Sequence, residues 1–366
     1  MKILTLPIKP SSYQKRGMYL APLLAELLAK KANATSLTFL NLIDSYKEQS
    51  EFVKYLESEY QNLGIHTDQM TSDYKNKEKL YQLIENLTSS GHIFGSKRKV
   101  VLCPCGRIDC LEDSLDSKTG RTNYQESEFH KCKICQRPCL VEEKKVLLFH
   151  IPHLIKPRAP VFPLYSQRDL DEFNSKFTEK NILISKQRNT NIPFTLNGTQ
   201  YNLDVDFFWS NYASLWDDPK KIILASQHSI YPSFLINILH QIHHPNSQLM
   251  TIYLPYIRNT NQVEVENELN RLSMAQKQLY LLYSLKFKDK TADWHPSAFN
   301  NISRIDDNKA KEMLEILGKK EQPKTPTFQS QIIQLIQQIN VQSLIQNSKK
   351  KQKFHPFQQN TDTGRL

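Results

Sequence analysis

All six cysteines of the chain fall between positions 103 and 139, as Cys103-Pro104-Cys105 with Cys110 close behind, then Cys132-Lys133-Ile134-Cys135 with Cys139 close behind. Thiols in two short turns separated by a polar loop form the donor set of a structural zinc, which is held tetrahedrally by four Cys or His ligands. The expected ligands are Cys103, Cys105, Cys132 and Cys135, which leaves Cys110 and Cys139 spare. Pro104, Gly106 and Pro138 suit tight turns in which backbone amides face sulfur. His130, His150 and His153 are near enough in sequence for one imidazole to replace a thiolate. Two other readings stay open: reduced thiols without a metal, and disulfides of an exported protein. The opening residues Met1-Lys2-Ile3-Leu4-Thr5-Leu6-Pro7 contain no long apolar segment and no small-residue cleavage site. A cytoplasmic protein, and zinc over disulfides, is therefore the expectation.

The surrounding elements must bring these turns together. Apolar residues at helical spacing predict helices over 19–31, 49–63 with Gly64 as its C-terminal cap, 75–88, 231–242, 265–285, 309–317 and 331–345. Strands are expected over 3–8, 36–43, 145–151, 221–225 and 251–255, while 155–200 reads as mixed and Pro-punctuated. Strands alternating with helices imply an α/β fold whose parallel sheet is closed by right-handed crossovers. The chain has 366 residues, long enough for more than one domain, and a net charge of +11, which favours polyanionic partners such as RNA. With only 9 glycines and no G-x-G-x-x-G or G-x-x-x-x-G-K-[ST], the common dinucleotide and P-loop sites have no local support. No apolar run is long enough to span a membrane.

The order of parts resembles the catalytic domain of class I aminoacyl-tRNA synthetases, most closely the glutamyl-tRNA synthetase group and its short relatives without an anticodon domain. Pro10-Ser11-Ser12-Tyr13 is similar to the lead into the first signature, and Leu40-Asn41-Leu42-Ile43-Asp44 to a strand ending Ile-Glu-Asp. Tyr60 to Gly64, Ser72-Asp73-Tyr74 and Leu87 to Gly91 resemble later family segments. Trp216-Asp217-Asp218 followed by residues 222–228 is similar to a Val-Val-Asp-Asp segment and its Arg-Gly-Glu-Asp strand. In many members the two cysteine turns hold zinc near the acceptor end of tRNA. The resemblance implies a Rossmann-like parallel sheet with an inserted zinc-binding module and a helical C-terminal region. The implied division is 1–95 and 151–262 for the two halves of the sheet domain, 96–150 for the module, 263–347 for the helical domain and 348–366 for a disordered basic tail.

The departures bear directly on activity. Lys15-Arg16-Gly17-Met18 stands where the family has His-Ile-Gly-His, and Arg258-Asn259-Thr260-Asn261-Gln262 lacks the paired lysines of the second signature. Thr5 or Leu6 and Ala225 occupy the places of the arginines that hold the substrate carboxylate. Losing even one transition-state interaction typically costs about 2.7–4 kcal/mol, so ordinary glutamate adenylation is not expected. Two functions follow. One is a synthetase-like protein that binds tRNA or another RNA through its basic surface, including Lys97-Arg98-Lys99 and Lys349-Lys350-Lys351. The other is an active ligase or aminoacyl transferase of altered specificity that uses ATP or an aminoacyl-tRNA. Its catalytic candidates are Lys15, Arg16 and His228, and its substrate-binding candidates are Asp44, Asp217, Asp218 and Gln227, placed at carboxyl ends of strands. A protein-interaction scaffold in which zinc serves folding alone is the third reading.

Overall fold

The computed structural model describes residues 1–9, 19–43, 49–110, 124–125, 131–153, 160–187, 190–258, 267–283, 285, 287, 291–293, 296–320 and 327–353. The chain opens with β1 (Lys2–Thr5), α1 (Leu20–Ala32), β2 (Thr35–Leu40), α2 (Gln49–Asn62), β3 (Gln69–Ser72) and α3 (Lys77–Ser89). A long antiparallel ribbon follows, β4 (Ile93–Leu102) and its partner β8 (Leu140–His150). Between them lie β5 (Ile108–Cys110), β6 (Tyr124–Gln125) and β7 (Lys131–Cys132). Next come β9 (Val161–Phe162), α4 (Leu164–Phe177), β10 (Asn181–Leu183), β11 (Ser185–Lys186), β12 (Pro193–Leu196), β13 (Thr199–Leu203) and α5 (Val205–Ser210). The alternation resumes with β14 (Lys220–Ser226), α6 (Ile230–His243) and β15 (Gln248–Leu254), then β16 (Tyr256–Arg258), helix Met274–Tyr283 and β17 (Thr291–Asp293). The helices Pro296–Ile302, Asp307–Gly318, Phe328–Gln338 and Val341–Lys353 complete the described chain.

Six of these strands form one parallel sheet in the order β3-β2-β1-β14-β15-β9. Strand order therefore reverses between β1 and β14, the place where open α/β sheets leave a crevice at the carboxyl ends of their strands. The chain from α3 to the turn before β14 separates the first three strands from β14 and β15, and returns to the sheet only to add β9 at its edge. The central strands are apolar on both faces because helices cover both. Ile3, Ile222, Leu224 and Ile252 pack with α1 and the C-terminal helices, whereas Leu4, Ile223, Ala225 and Tyr253 pack with α3 to α6. This alternation along β1 and β14 follows from the period of two in a strand.

Local chemistry explains where elements end. Gly64, at φ 62, takes the left-handed conformation after α2, as its position predicts, and Met274 and Gln278 atoms lie within 3 Å of where a Cβ would stand. The helix expected over 331–345 is instead two: the first ends at Gln338 with Ile339 as its cap, and Asn340 Oδ1 accepts from Ser343 N at 3.1 Å to cap the second. That second helix runs to Lys353, past the expected start of a disordered tail at 348. The helix expected over 265–285 is regular only from Met274 to Tyr283 among the longer described stretches. β3 and α4 are among the elements for which the sequence raised no expectation.

Candidate metal centre and strand-end crevice

The two cysteine turns close in the same way. Cys103 N donates to Arg107 O at 2.9 Å and Gly106 N to Cys103 O at 2.9 Å, with Gly106 at φ 85. In the second turn Cys132 N donates to Arg137 O at 3.0 Å and Gln136 N to Cys132 O at 2.9 Å, with Gln136 at φ 58. Ribbon β4/β8 carries both turns at one end, and β5 adds to it by pairing with β4. The small core of Val100, Leu102, Ile108, Cys110, Val146 and Leu148 fixes that end.

Cys103, Cys105, Cys132 and Cys135 converge, with all four Sγ atoms within 4.8 Å of one another. The separations are 3.2 Å for Cys103 to Cys135, 3.1 Å for Cys105 to Cys103 and 3.9 Å for Cys105 to Cys132. These are far beyond a disulfide bond of ~2.05 Å. Two are shorter than, and one is close to, the ~3.8 Å sulfur–sulfur edge of a tetrahedron built on Zn–S distances of ~2.3 Å, so the donor set fits a tetrathiolate ion once the two short separations open by about 0.6–0.7 Å. The structure thus groups the same four residues that the spacing singled out.

Electrostatics within the cluster are uneven. Burial pushes the Cys103 thiol up, against an amide hydrogen bond from Cys105. Burial acts on Cys132 in the same direction but is outweighed by amides of Cys135 and Ile134 and by the thiols of Cys103 and Cys135, which bring it down to about 7. Amide-stabilised sulfur of this kind is the form a metal takes. The spare cysteines differ: Cys110 is a buried core residue, and Cys139, its thiol pushed up by burial, donates to Arg137 O at 3.8 Å. His150 hydrogen bonds to Asn181 at 3.1 Å and His153 pairs with Glu179 at 3.9 Å, so neither serves this cluster; His130 lies outside the described residues.

At the carboxyl ends of the strands, β14 terminates in the turn Gln227–Ser229. Gln227 is buried there; its Nε2 donates to Ser166 Oγ at 2.9 Å, and its Oε1 has no partner among the described residues. The backbone of His228 lies in the same turn. Thr5 and Ala225, at the positions of the missing arginines, are buried, and Thr5 O accepts from Tyr212 Oη at 3.0 Å. Lys15, Arg16 and Asp44 lie outside the described residues.

Asp217 and Asp218 are not at this end. They precede β14, and a parallel strand carries the chain away from the residues before it, which leaves both at the amino-terminal edge. Asp218 pairs with Lys2 Nζ at 3.6 Å, and Asp217, almost fully exposed, faces His244 at 3.7 Å. Their expected place at the carboxyl ends of the strands is therefore corrected.

Sequence reasoning missed a buried acid at the carboxyl ends of β2 and β3. Asp73, at the carboxyl end of β3, is fully buried and accepts from Leu42 N at 2.8 Å, Ile43 N at 3.3 Å and Tyr74 N at 2.8 Å. It fixes the chain leaving β2 immediately before Asp44. The signal was an acid directly after the serine of a turn, for Ser72 Oγ accepts from Lys75 N at 3.1 Å.

No protein-family model matches the chain, and no curated protein does. Solved structures do match. Methionyl-tRNA synthetase of Mycobacterium tuberculosis bound to methionyl-adenylate aligns with a TM-score of 0.59 and 12% identity, over 86% of this chain and 70% of that one. A second structure of that enzyme with methionyl-adenylate gives 0.60 and 11% over the same shares. Its free form gives 0.59 and 13%, over 96% of this chain and 80% of that one. The chain has a class I aminoacyl-tRNA synthetase-like fold. The structural neighbours are methionyl enzymes, and they do not single out the glutamyl group that the motifs resemble.

Buried histidines near Lys221 make this frame sensitive to acid. Burial, with Lys221, His244 and His243 nearby, lowers His240 to about 2; burial, with His244 and His92, lowers His243 to about 4. The folded protein thus binds fewer protons than the unfolded chain below the ordinary histidine value of ~6.5, and stability is complete above that pH and falls beneath it. For His240, 1% exposed, the loss by pH 5 is about 2 kcal/mol. Urea midpoints at pH 7 and pH 5 should show that loss, and His240→Gln should reduce the difference; an equal pH dependence in the variant would exclude His240 as its source.

Proposed function

We propose that this is a class I synthetase-like protein of the cytoplasm that binds tRNA, or another structured RNA, without ordinary glutamate adenylation. The observation that carries the reading is the charge of the ribbon bearing the metal centre. Lys97 pairs across strands with Lys145, and Arg98 with Lys144. Lys97, Lys99 and Lys145 are exposed on one face, where Glu143, 3.2 Å from Lys97, is the opposing charge. Lys131, Lys133 and Arg137 extend the exposed positive charge around the cysteines. The solved structures of similar fold are tRNA synthetases by name, which supports tRNA as the polyanion. Zinc would be the ion held by Cys103, Cys105, Cys132 and Cys135, and its task would be to hold the two turns together.

Binding of bulk tRNA should therefore weaken steeply with salt, since each neutralised phosphate contributes about 0.7–0.9 to the slope of log affinity against log salt. A Lys97→Ala/Lys99→Ala/Lys145→Ala variant should lower that slope by roughly 2–3, about one for each phosphate that is no longer neutralised. An unchanged affinity and slope would remove the ribbon from RNA binding.

One observation favours the second reading, an active ligase or transferase of altered specificity. Gln227 Oε1 is a buried acceptor with no partner among the described residues, placed at the carboxyl end of β14 beside the strand-order reversal. A bound substrate offering an N–H or O–H would satisfy it. His228, Lys15, Arg16 and Asp44 remain the groups that this reading would place around ATP. The glutamyl resemblance and the methionyl structural neighbours name different amino acids, and activity against a full amino acid set separates them.

A further inference from the structure

Cys139 stands outside the four-thiol cluster and yet faces it. In the antiparallel β4/β8 ladder Val101 pairs with Val141 and Leu102 with Leu140. Cys103 and Cys139 are the next two positions, opposite each other where the ribbon meets the metal centre. Opposed positions in an antiparallel pair have Cα atoms about 4.5–5.5 Å apart, inside the ~4.4–6.8 Å that a disulfide spans. Alternation along a strand puts both side chains on the face of Val101. Val101, Cys103 and Cys139 do line one small cavity together, with Cys132, Arg107 and Asp109 also in its wall. Both sulfurs are free thiols here, and Cys139 lies within hydrogen-bonding reach of Cys103.

The two differ in access and in what their loss would do. Cys139 is partly exposed and Cys103 is buried, so a small oxidant entering from solvent meets Cys139 first. Cys103 is the hub of the cluster, 3.1 Å from Cys105 and 3.2 Å from Cys135. Without it three thiols remain, too few to close the tetrahedron of a structural site.

We propose that Cys139 is a redox modification site: a peroxide converts Cys139 and Cys103 to a cross-strand disulfide, which takes Cys103 out of the four-thiol set and releases the ion. The Cys139 sulfur attacks the peroxide, the O–O bond breaks, and a sulfenic acid forms with release of one water. The Cys103 sulfur then attacks the Cys139 sulfur; the S–O bond breaks and the oxygen leaves, protonated by solvent, as a second water. Two electrons from the two sulfurs thereby reduce one peroxide to two waters. Because burial pushes the Cys139 thiol up and the thiolate is the reactive form, the first step is slow and answers to sustained peroxide. The proposal rests on zinc being the ion of the four thiols and stands without the RNA-binding role of the ribbon.

The test treats the zinc-loaded full chain with excess hydrogen peroxide, follows zinc with a chromogenic chelator and maps disulfides by tandem mass spectrometry after blocking free thiols. Fragmentation must separate Cys103 from Cys105 and Cys139 from Cys135, since each pair shares a tryptic peptide. The expected result is a Cys103–Cys139 disulfide that appears as zinc is released, with both changes reversed by dithiothreitol and added zinc. Cys139→Ser should form no such disulfide and release zinc several-fold more slowly, while Cys110→Ala should match the parent chain. Zinc content before peroxide tests the metal reading on its own: a parent chain that never holds zinc refutes that reading, and the disulfide map still decides this one. Absence of the Cys103–Cys139 disulfide after peroxide, or release at the parental rate from zinc-loaded Cys139→Ser, overturns the proposal.

Discussion

Cys132→Ser is expected to strip the protein of zinc and melt the cysteine module while leaving the parallel sheet folded. Cys103 lies 3.2 Å from Cys135 and 3.1 Å from Cys105, and Cys105 lies 3.9 Å from Cys132. The strands around these thiols are short, β5 and β7 being three and two residues long. So small a core cannot hold two turns in place by apolar burial alone. Binding of structural zinc contributes about 10–16 kcal/mol in zinc-finger peptides, and in such a module that free energy is folding free energy. Metal analysis after gel filtration should find one zinc per parent chain and almost none in the variant, with hydrogen exchange accelerated from residue 100 to 110 and from 131 to 140. Cys110→Ala and Cys139→Ser provide the contrast. The first removes a buried core thiol and should cost about 1–2 kcal/mol with zinc retained; the second should retain zinc at parental stability. Full zinc in Cys132→Ser, or loss of zinc in Cys139→Ser, would contradict the ligand set.

The second large effect is Asp73→Ala. This carboxylate is fully buried and accepts amides from three residues, of which Leu42 and Ile43 belong to the chain leaving β2. Removing it strands buried donors at about 1–3 kcal/mol each, so a loss of about 3 kcal/mol or more in urea unfolding is expected. Asp73→Asn keeps one acceptor oxygen and should cost less than the alanine change. Because the clamp ties the ends of β2 and β3 together, the alanine variant should also speed amide exchange at Leu42 and Ile43 more than within β15. A destabilisation under about 1 kcal/mol, the low end for a single stranded donor, would show that the loop is held by other interactions.

These two sites differ in how far sequence could reveal them. The grouping of four thiols was legible because it needs only two turns and a reversal of the chain, and both are written in Pro104, Gly106 and Pro138. The helices α1 and α2 were equally plain, with leucines at helical spacing in one and Gly64 ending the other. Asp73 was opaque, since an acid in a polar turn reads as surface until the backbone amides above it are known. Asp217 and Asp218 were misplaced because the family-like motif gave their order in the chain and not the edge of the sheet on which they fall. β3 escaped notice since Gln69, Met70, Thr71 and Ser72 show no apolar alternation; its pairing with β2 makes it a strand. α4 was hidden behind the prolines of its region, although Leu170, Phe173 and Phe177 already had helical spacing. The pause at Asn340 was a readable cap between two apolar segments.

The central claim is that a synthetase-like frame here has lost ordinary adenylation and kept a cationic surface for RNA. Its most direct test is ATP–pyrophosphate exchange by the zinc-loaded protein with each of the twenty amino acids, with and without bulk tRNA. The account predicts no exchange above background for any amino acid, glutamate and methionine included, from a folded protein that still binds tRNA in a salt-dependent manner. Exchange with any one amino acid would contradict it, establish adenylation on a rebuilt site, and name the substrate.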